Sequence, residues 1–275
     1  MSIDQETFIR LRKVMIEILD EFVRICEENN LTYFLTAGTL LGAVRHKGYI
    51  PWDDDIDVAM PRNDYEKFLD IFQEITEKSY YTLSNRCTVG TSVQYVYFAK
   101  LCKKNTVYAR NHLNPENYSG IFIDIWPFDN SVLLFIPLQT KFITIADKLY
   151  RQKTHGEIPQ KRIKRLLSKV LCCLLSLQFC KVLLKETFSF FNRFKTQYIT
   201  FFSGVYGYKK ETHKYSTIFP LTTVCFEGKY YQAPGNWDIF LKTLYGNYME
   251  LPPVEKRHTH NIKFISFYDK DNNEK

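Results

Sequence analysis

The sequence predicts an α/β (α+β) domain in which a mixed sheet is flanked by helices. Three observations carry this reading: apolar residues at three- and four-residue spacing over residues 4–29, an acidic–apolar alternation over residues 55–59, and the apolar run GIFIDIW at residues 120–126. At 275 residues, with 45% hydrophobic content, 22 Phe and 19 Tyr, the chain has enough apolar material for one large core, or for a core with a sizeable appendage.

The elements follow in order. Phe8, Leu11, Val14, Met15, Ile18, Leu19, Phe22, Val23 and Cys26 form one face of a long amphipathic helix that ends near Asn29-Asn30, with Ser2 and Gln5 as a capping box at its start. Residues 32–36 read as a short strand that runs into Gly38-Thr39, and residues 40–46 as a short helix opening directly after that glycine. Residues 55–59 read as a half-buried strand ended by Pro61, and Asn63 with Glu66 as a second capping box opening a helix to about Lys78. Residues 80–84, 92–102, 105–109 and 120–126 have strand composition. Ile163, Leu166, Leu167, Val170, Leu171, Leu174 and Leu175 make a helical stripe over residues 161–185, with a further helical piece over 187–204. Residues 219–260 are a mixed tail stopped by Leu251-Pro252-Pro253, and the polar end from Asp269 to Lys275 frays.

Charge and cysteine usage narrow the classes. The net charge of +7 is concentrated: residues 141–195 hold 13 Lys and Arg against 3 Asp and Glu, so the rest of the chain is net negative. The basic helix at 161–185 reads as an ordinary amphipathic helix packed on the domain, as one lying on the anionic inner leaflet of a membrane, or, least in keeping with its composition, as a nucleic-acid contact. Only eleven uncharged residues separate Lys169 from Lys181, too few to span a bilayer. The N-terminus MSIDQETF lacks the basic-then-apolar pattern of a secretory signal, so a cytoplasmic protein is expected, peripheral on the inner membrane face if the basic helix binds there. Seven cysteines without a C-x-x-C pair, several within apolar runs, read as reduced and structural.

The chemistry is concentrated in residues 37–60, AGTLLGAVRHKGYIPWDDDIDVAM. Side chains two apart on a strand point the same way, so Asp55 and Asp57 would share a face, and carboxylates crowded in a sheet persist only with a neutralising cation. Oxygen-only ligands favour Mg²⁺ or Mn²⁺ over zinc. A calcium loop of EF-hand type fails by position: counting from Asp53, the sixth residue is Val58 where Gly is needed, and the twelfth is Asp64 where Glu is needed. A solvated acidic turn after Trp52 is the plain alternative. Against it stand Gly38-Thr39 at a helix start, where free N–H groups suit a phosphate, and a third lone acid, Asp124, in the apolar run.

A helix-start glycine followed by Ser or Thr, a strand with alternating aspartates and a third acid on another strand resemble the nucleotidyltransferase fold. More closely, LTYFLTAGTLLGAVRHKGYIPWDDDIDVAMPR with IDIWPFD resembles the LicD family of phosphocholine transferases and its fukutin relatives, and Phe226-Glu227-Gly228, Ala233-Pro234 and YGNYMELPP at residues 245–253 extend the likeness. The resemblance covers roughly residues 5–130 and 215–260. It implies a nucleotidyltransferase-like mixed sheet flanked by helices, divided as a catalytic core at 1–135, a basic helical insertion at 136–210, with membrane-surface binding as one reading, and a C-terminal part of the catalytic domain at 211–275.

The activity implied is metal-dependent transfer of a phospho-alcohol, typically phosphocholine from CDP-choline, to a hydroxyl of a cell-surface glycan such as lipopolysaccharide, capsule or teichoic acid. Asp55, Asp57 and Asp124 would hold the Mg²⁺ or Mn²⁺, with Asp124 also the better candidate for a general base. Gly38 and Thr39 would donate to phosphate, and Arg45, His46 and Lys47 would add positive charge; the last three read equally as a solvated helix C-terminus. Trp52 and Tyr49 could stack a base or face a choline ammonium, or be core aromatics. Asp53 and Asp54 would flank the motif and position it, and Asp129 would begin a turn after Pro127. Arg257, His258 and His260 would close over the nucleotide or lie on the surface. Two other classes compete: a glycosyltransferase using D-x-D to hold a nucleotide-sugar, against which the third acid and the Gly-Thr helix start argue, and a non-catalytic membrane-associated scaffold, against which all three carboxylates argue.

Overall fold

The structure is a computed structural model and describes residues 4–84, 97–110, 120–155, 174–257, 259 and 262–267. The chain divides into two compact units, residues 1–127 with 216–275, and residues 128–215.

In the first unit, helix α1 (Gln5–Glu28) buries Leu11, Val14, Met15, Ile18, Leu19, Phe22, Ile25 and Cys26, the stripe its spacing dictates. Its cap is not the expected Ser2–Gln5 pair. Asp4 accepts from the Thr7 N–H at 2.8 Å and from the Thr7 hydroxyl at 2.6 Å, because a carboxylate three residues before Thr7 reaches both donors; Ser2 lies outside the described residues. The helix stops where Asn30 takes a left-handed φ of 52°, which Asn tolerates well. Strand β1 (Phe34–Leu35) pairs antiparallel with β2 (Asp57–Pro61), and α2 (Ala37–His46) lies between them in the chain. The acidic strand thus begins at Asp57, two residues later than expected, and it includes Pro61.

Helix α3 (Arg62–Ile75) follows at once, with Pro61 at its N-cap and no side-chain cap; the Asn63–Glu66 box is not used because the helix has already begun at Arg62. Strands β3 (Tyr81–Ser84) and β4 (Ala99–Lys103) pair antiparallel, as do β4 and β6 (Phe122–Ser131), while β5 (Thr106–Arg110) stands apart from this sheet. The sheet order is β1-β2-β6-β4-β3, so β6 is central and runs beyond the residue 126 at which the apolar pattern ends. The expected strand at 92–102 falls partly outside the described residues.

In the second unit the end of β6 pairs antiparallel with β7 (Tyr198–Thr200), and β7 with β8 (Thr212–Lys214). Asp129 does not begin a turn: it is fully buried in β6 and accepts from Asn192 Nδ2 at 2.7 Å. Helix α4 (Ile136–His155) packs with α5 (Leu177–Ser189), and Gln139 Nε2 ties them by donating to the carbonyls of Thr187 and Phe188. The stripe expected over 161–185 is interrupted, since Ser176 leaves the helix and caps α5, its hydroxyl accepting from the Phe179 N–H at 3.0 Å. Residues 156–173 lie outside the described residues. The further helical piece gives way after Arg193 to extended chain, where β-favouring Tyr198, Ile199 and Thr200 pair with β6. Leu134 is 82% exposed, and Phe135, Leu138, Phe142, Phe190 and Phe194 are each about half exposed. Four of these line an apolar cavity of about 270 Å³.

The chain returns to the first unit through the hairpin β9 (Thr222–Phe226) and β10 (Lys229–Ala233). Its two-residue loop, Glu227-Gly228, has φ values of 51° and 79°, the paired left-handed conformation that matches strand twist in tight hairpins. Helix α6 (Trp237–Tyr245) is capped by Asn236, and β11 (Ile262–Phe267) pairs antiparallel with β5. No helix among the described residues is long and apolar enough to cross a membrane.

Candidate active site

The acidic cluster is built by backbone ties across the first unit. The Asp57 N–H donates to Thr39 Oγ1 at 2.8 Å, and the Asp57 carbonyl accepts from the Thr36 N–H at 3.2 Å, so the start of α2 clamps Asp57 on both sides. The Asp124 N–H donates to the Ile56 carbonyl at 2.8 Å, which sets Asp124 opposite the residue between Asp55 and Asp57. The sequence treats Asp55 and Asp57 as neighbours on one strand; the structure has Asp57 on β2, Asp55 in the loop before it and Asp124 on β6.

That loop is held by a residue absent from the motif. Arg12 on α1 donates to the carbonyls of Ile50 at 2.7 Å, Pro51 at 3.1 Å and Asp53 at 2.8 Å, while its guanidinium lies over the Tyr49 ring at 4.6 Å. Tyr49 is therefore a core aromatic, 7% exposed, and its hydroxyl donates to the Arg12 carbonyl. Asp54 is fully buried and accepts from the Tyr108 hydroxyl at 2.9 Å, a positioning contact. Burial, with Asp54 beside it, pushes the Tyr108 hydroxyl up and keeps it a donor. The Asp53 carboxylate sits against the first turn of α2: a Cβ on Gly38 would lie 2.8 Å from Asp53 Oδ2, so glycine is what lets the acid approach there.

Two cations face the acids. Lys100 on β4 is the cross-strand partner of Asp124, only 3% exposed, and its ammonium bonds Asp124 Oδ1 while resting 3.4 Å from the Phe122 ring centroid. Arg110, at the end of β5, places Nη2 3.7 Å from Asp55 Oδ2. Burial, then the charges of Asp55, Asp124 and Asp53, push the Asp57 carboxyl well above the usual carboxylate range, and Lys100 only partly opposes this. The donor set therefore fits a hard divalent cation: buried carboxylate oxygens whose mutual repulsion the protein's own cations leave incompletely balanced. As they stand, with Asp124 bonded to Lys100 and Asp55 beside Arg110, no three His, Cys, Asp or Glu side chains among the described residues form a ready cage.

The basic cluster lies elsewhere. Arg45, His46 and Lys47 stand at the C-terminal end of α2, about 12 Å along the helix axis from Gly38. Arg45 Nη1 donates to the Tyr248 carbonyl at 2.8 Å and Nε to His46 Nε2 at 2.9 Å, so that ring nitrogen is an acceptor; burial and Arg45 both lower the His46 imidazole. Lys47 is exposed and closes the helix with a φ of 60°. Trp52 is half-buried, with the Arg257 guanidinium 5.2 Å from its ring centroid, and Arg257 Nε donates to the Pro252 carbonyl. His258 and His260 lie outside the described residues. Lys100 was legible by the argument used for Asp124, a lone charge in an apolar strand. Arg12 carried no such signal, because its partners are carbonyls 38 to 41 residues away.

A mixed sheet with a clamped aspartate at the foot of a glycine-led helix and a further acid on the adjacent strand defines a nucleotidyltransferase-type domain. The LicD/FKTN/FKRP, nucleotidyltransferase domain family matches residues 30–171, and the chain belongs to this family. It is 30% identical over 264 residues to the lipopolysaccharide cholinephosphotransferase LicD of Haemophilus influenzae, covering 91% of this chain and 94% of that protein. It is also 28% identical over 113 residues to an uncharacterised protein of Rickettsia typhi, covering 41% of this chain and 33% of that one.

Proposed function

We propose that this protein is a metal-dependent transferase that moves phosphocholine from CDP-choline to a hydroxyl of a cell-surface glycan, lipopolysaccharide in the first instance. The observation that carries the reading is the pair of ties that hold Asp57 at the start of α2, with the Asp124 N–H bonded to the carbonyl of Ile56 between Asp55 and Asp57, in a chain that matches a lipopolysaccharide cholinephosphotransferase along nearly its whole length.

Those three aspartates would hold Mg²⁺ or Mn²⁺, which when bound supplies charge neutralisation at the donor's diphosphate and lowers the pKa of the acceptor hydroxyl. The chain's own residues do the positioning. Thr39 and Thr36 fix the Asp57 backbone, Arg12 fixes residues 50–53, and Lys100 orients Asp124, our candidate to accept the proton of the attacking hydroxyl. CMP is the leaving group. Gly38 and Thr39 contribute the first-turn N–H groups of α2, and Arg45, His46, Arg257 and Trp52 form a more distant cationic and aromatic patch suited to the nucleotide. The basic second unit, with its half-exposed Phe and Leu side chains, suits contact with an anionic membrane surface, where a lipid-linked acceptor would be found.

The test is CMP release from a panel of CDP-alcohols with Mg²⁺ or Mn²⁺ and lipopolysaccharide, comparing wild type with Asp57→Asn. Metal-dependent release with CDP-choline, lost in the variant, supports the reading. Turnover of a nucleotide-sugar instead would move the protein to the glycosyltransferases, and no turnover of either donor would favour a scaffold.

A further inference from the structure

Arg110 is an arginine of this region with two buried donor nitrogens, Nε and Nη2, that meet no hydrogen-bond acceptor. Arg12 spends its N–H groups on three carbonyls, Arg45 on Tyr248 and His46, and Arg257 on Pro252. Arg110 Nε and Nη2 are both buried and donate no hydrogen bond, and the approach of Nη2 to Asp55 Oδ2 at 3.7 Å is an ion pair too long to be one. The guanidinium is flanked by the Tyr108 and Phe122 rings, with its carbon 5.7 and 5.8 Å from their centroids. Nε and Nη2 point along the same edge of the planar group, the edge that grips two oxygens of one phosphate or carboxylate. A buried charged donor pair left unmet beside a cluster of acids is a place built for an incoming anion.

We propose that Arg110 is a binding residue for the donor's diphosphate, its Nε–Nη2 edge taking two phosphate oxygens and holding them beside the acidic cluster. The identity of the anion rests on the CDP-alcohol reading above; the subsite itself rests on the unmet edge. Tyr108 serves as the brace, since its ring packs against Phe122 at 5.2 Å between centroids and its hydroxyl is fixed on Asp54.

The test is calorimetric titration of CDP and of cytidine, in Mg²⁺-containing buffer, into wild type, Arg110→Lys and Arg110→Met, each checked by its melting temperature. Met is expected to weaken CDP by about ten- to hundredfold, the span of lost hydrogen bonds to a charged group, and to leave cytidine unchanged. Lys keeps the charge without the fork and should fall between. Arg110→Met binding CDP within about twofold of wild type at an unchanged melting temperature would overturn the proposal. Equal loss of CDP and cytidine would overturn it too, because that marks a collapsed site. Running ADP, GDP and UDP alongside separates the two claims. If wild type prefers one of these and Arg110→Met loses it, the subsite stands and the CDP donor falls; if no nucleoside diphosphate binds, both fall.

Discussion

Replacing Lys100 by Met keeps the stem and deletes the ammonium that Asp124 faces. Both residues are nine-tenths or more buried, so their attraction acts at an effective dielectric nearer 20 than 80 and is about 4 kcal/mol at ~4 Å. Deleting the cation alone leaves Asp124 buried beside Asp57 with nothing in the protein opposite it on β4, and breaking a buried pair from one side costs about 3–5 kcal/mol. A domain of this size loses about 2–4 °C of melting temperature per kcal/mol, so Lys100→Met should melt about 6–20 °C below wild type in EDTA. Added Mg²⁺ or Mn²⁺ should raise the variant more than the wild type, because a cation that binds the folded state supplies the missing charge. Lys100→Met combined with Asp124→Leu removes charge and counter-charge together and should recover most of the loss in EDTA. A single variant that melts with wild type, or a double variant as unstable as the sum of its parts, would refute the claim that this ammonium balances the acidic cluster.

Three other outcomes follow from the same geometry. Arg12→Met removes the guanidinium's hydrogen bonds to the carbonyls of residues 50, 51 and 53 without touching substrate, and should lower kcat/KM for the donor by about a hundredfold in steady-state kinetics, the scale of a 1 Å misplacement. In the second unit, burial raises the Glu211 carboxyl to about 7 and lowers the His213 imidazole to about 3. Glu211 makes stability fall as pH rises from its unfolded value toward 7, because the folded state holds the proton more tightly, whereas His213 makes stability fall as pH drops below about 6.5; the two slopes cancel between about pH 4.5 and 6.5. Glu211→Gln should make the slope of stability against pH over that window more positive than the wild type's by about 1.4 kcal/mol per pH unit in urea denaturation, and a variant slope equal to the wild type's would count against the assignment. Wild type should co-sediment with phosphatidylglycerol vesicles, and Phe142→Ser with Leu138→Ser should weaken this by about tenfold or more, given about 1.5–3 kcal/mol for each apolar side chain removed from water; equal binding would show that another surface makes the contact.

Much of this fold could be read from spacing, because short-range pattern decides it. The stripe of α1 is the clearest case: Leu11 through Cys26 recur at helical period and are buried together. The strand residues around Asp124 were equally plain, since a charge inside an apolar run demands a partner. What the pattern could not carry was set by long-range ties. Asp55 alternates with Asp57 as a strand should, yet it lies in a loop, because Arg12 takes the carbonyls just before it. The stripe over 161–185 reads as one continuous helix, yet Ser176 within it caps a new one, since a serine hydroxyl serves an N–H three residues on as readily as it faces water. Arg110 ends a strand of ordinary composition, and only the placement of β5 shows that its charge faces Asp55.

The tight turn at Glu227-Gly228 has a consequence for how the protein is made. The Glu227 N–H donates to the Lys47 carbonyl at 3.0 Å and Glu227 Oε1 accepts from the Tyr49 N–H at 3.0 Å, so a clasp 178 residues downstream closes the stretch that leads into the aspartates. At about 5–20 residues per second, a ribosome reaches that clasp roughly 10–35 s after it has finished Tyr49. Until then the acidic loop has its hold from Arg12 but not its lock. A nascent chain that stops short of the hairpin thus carries all three aspartates without this clasp on the stretch that leads into them.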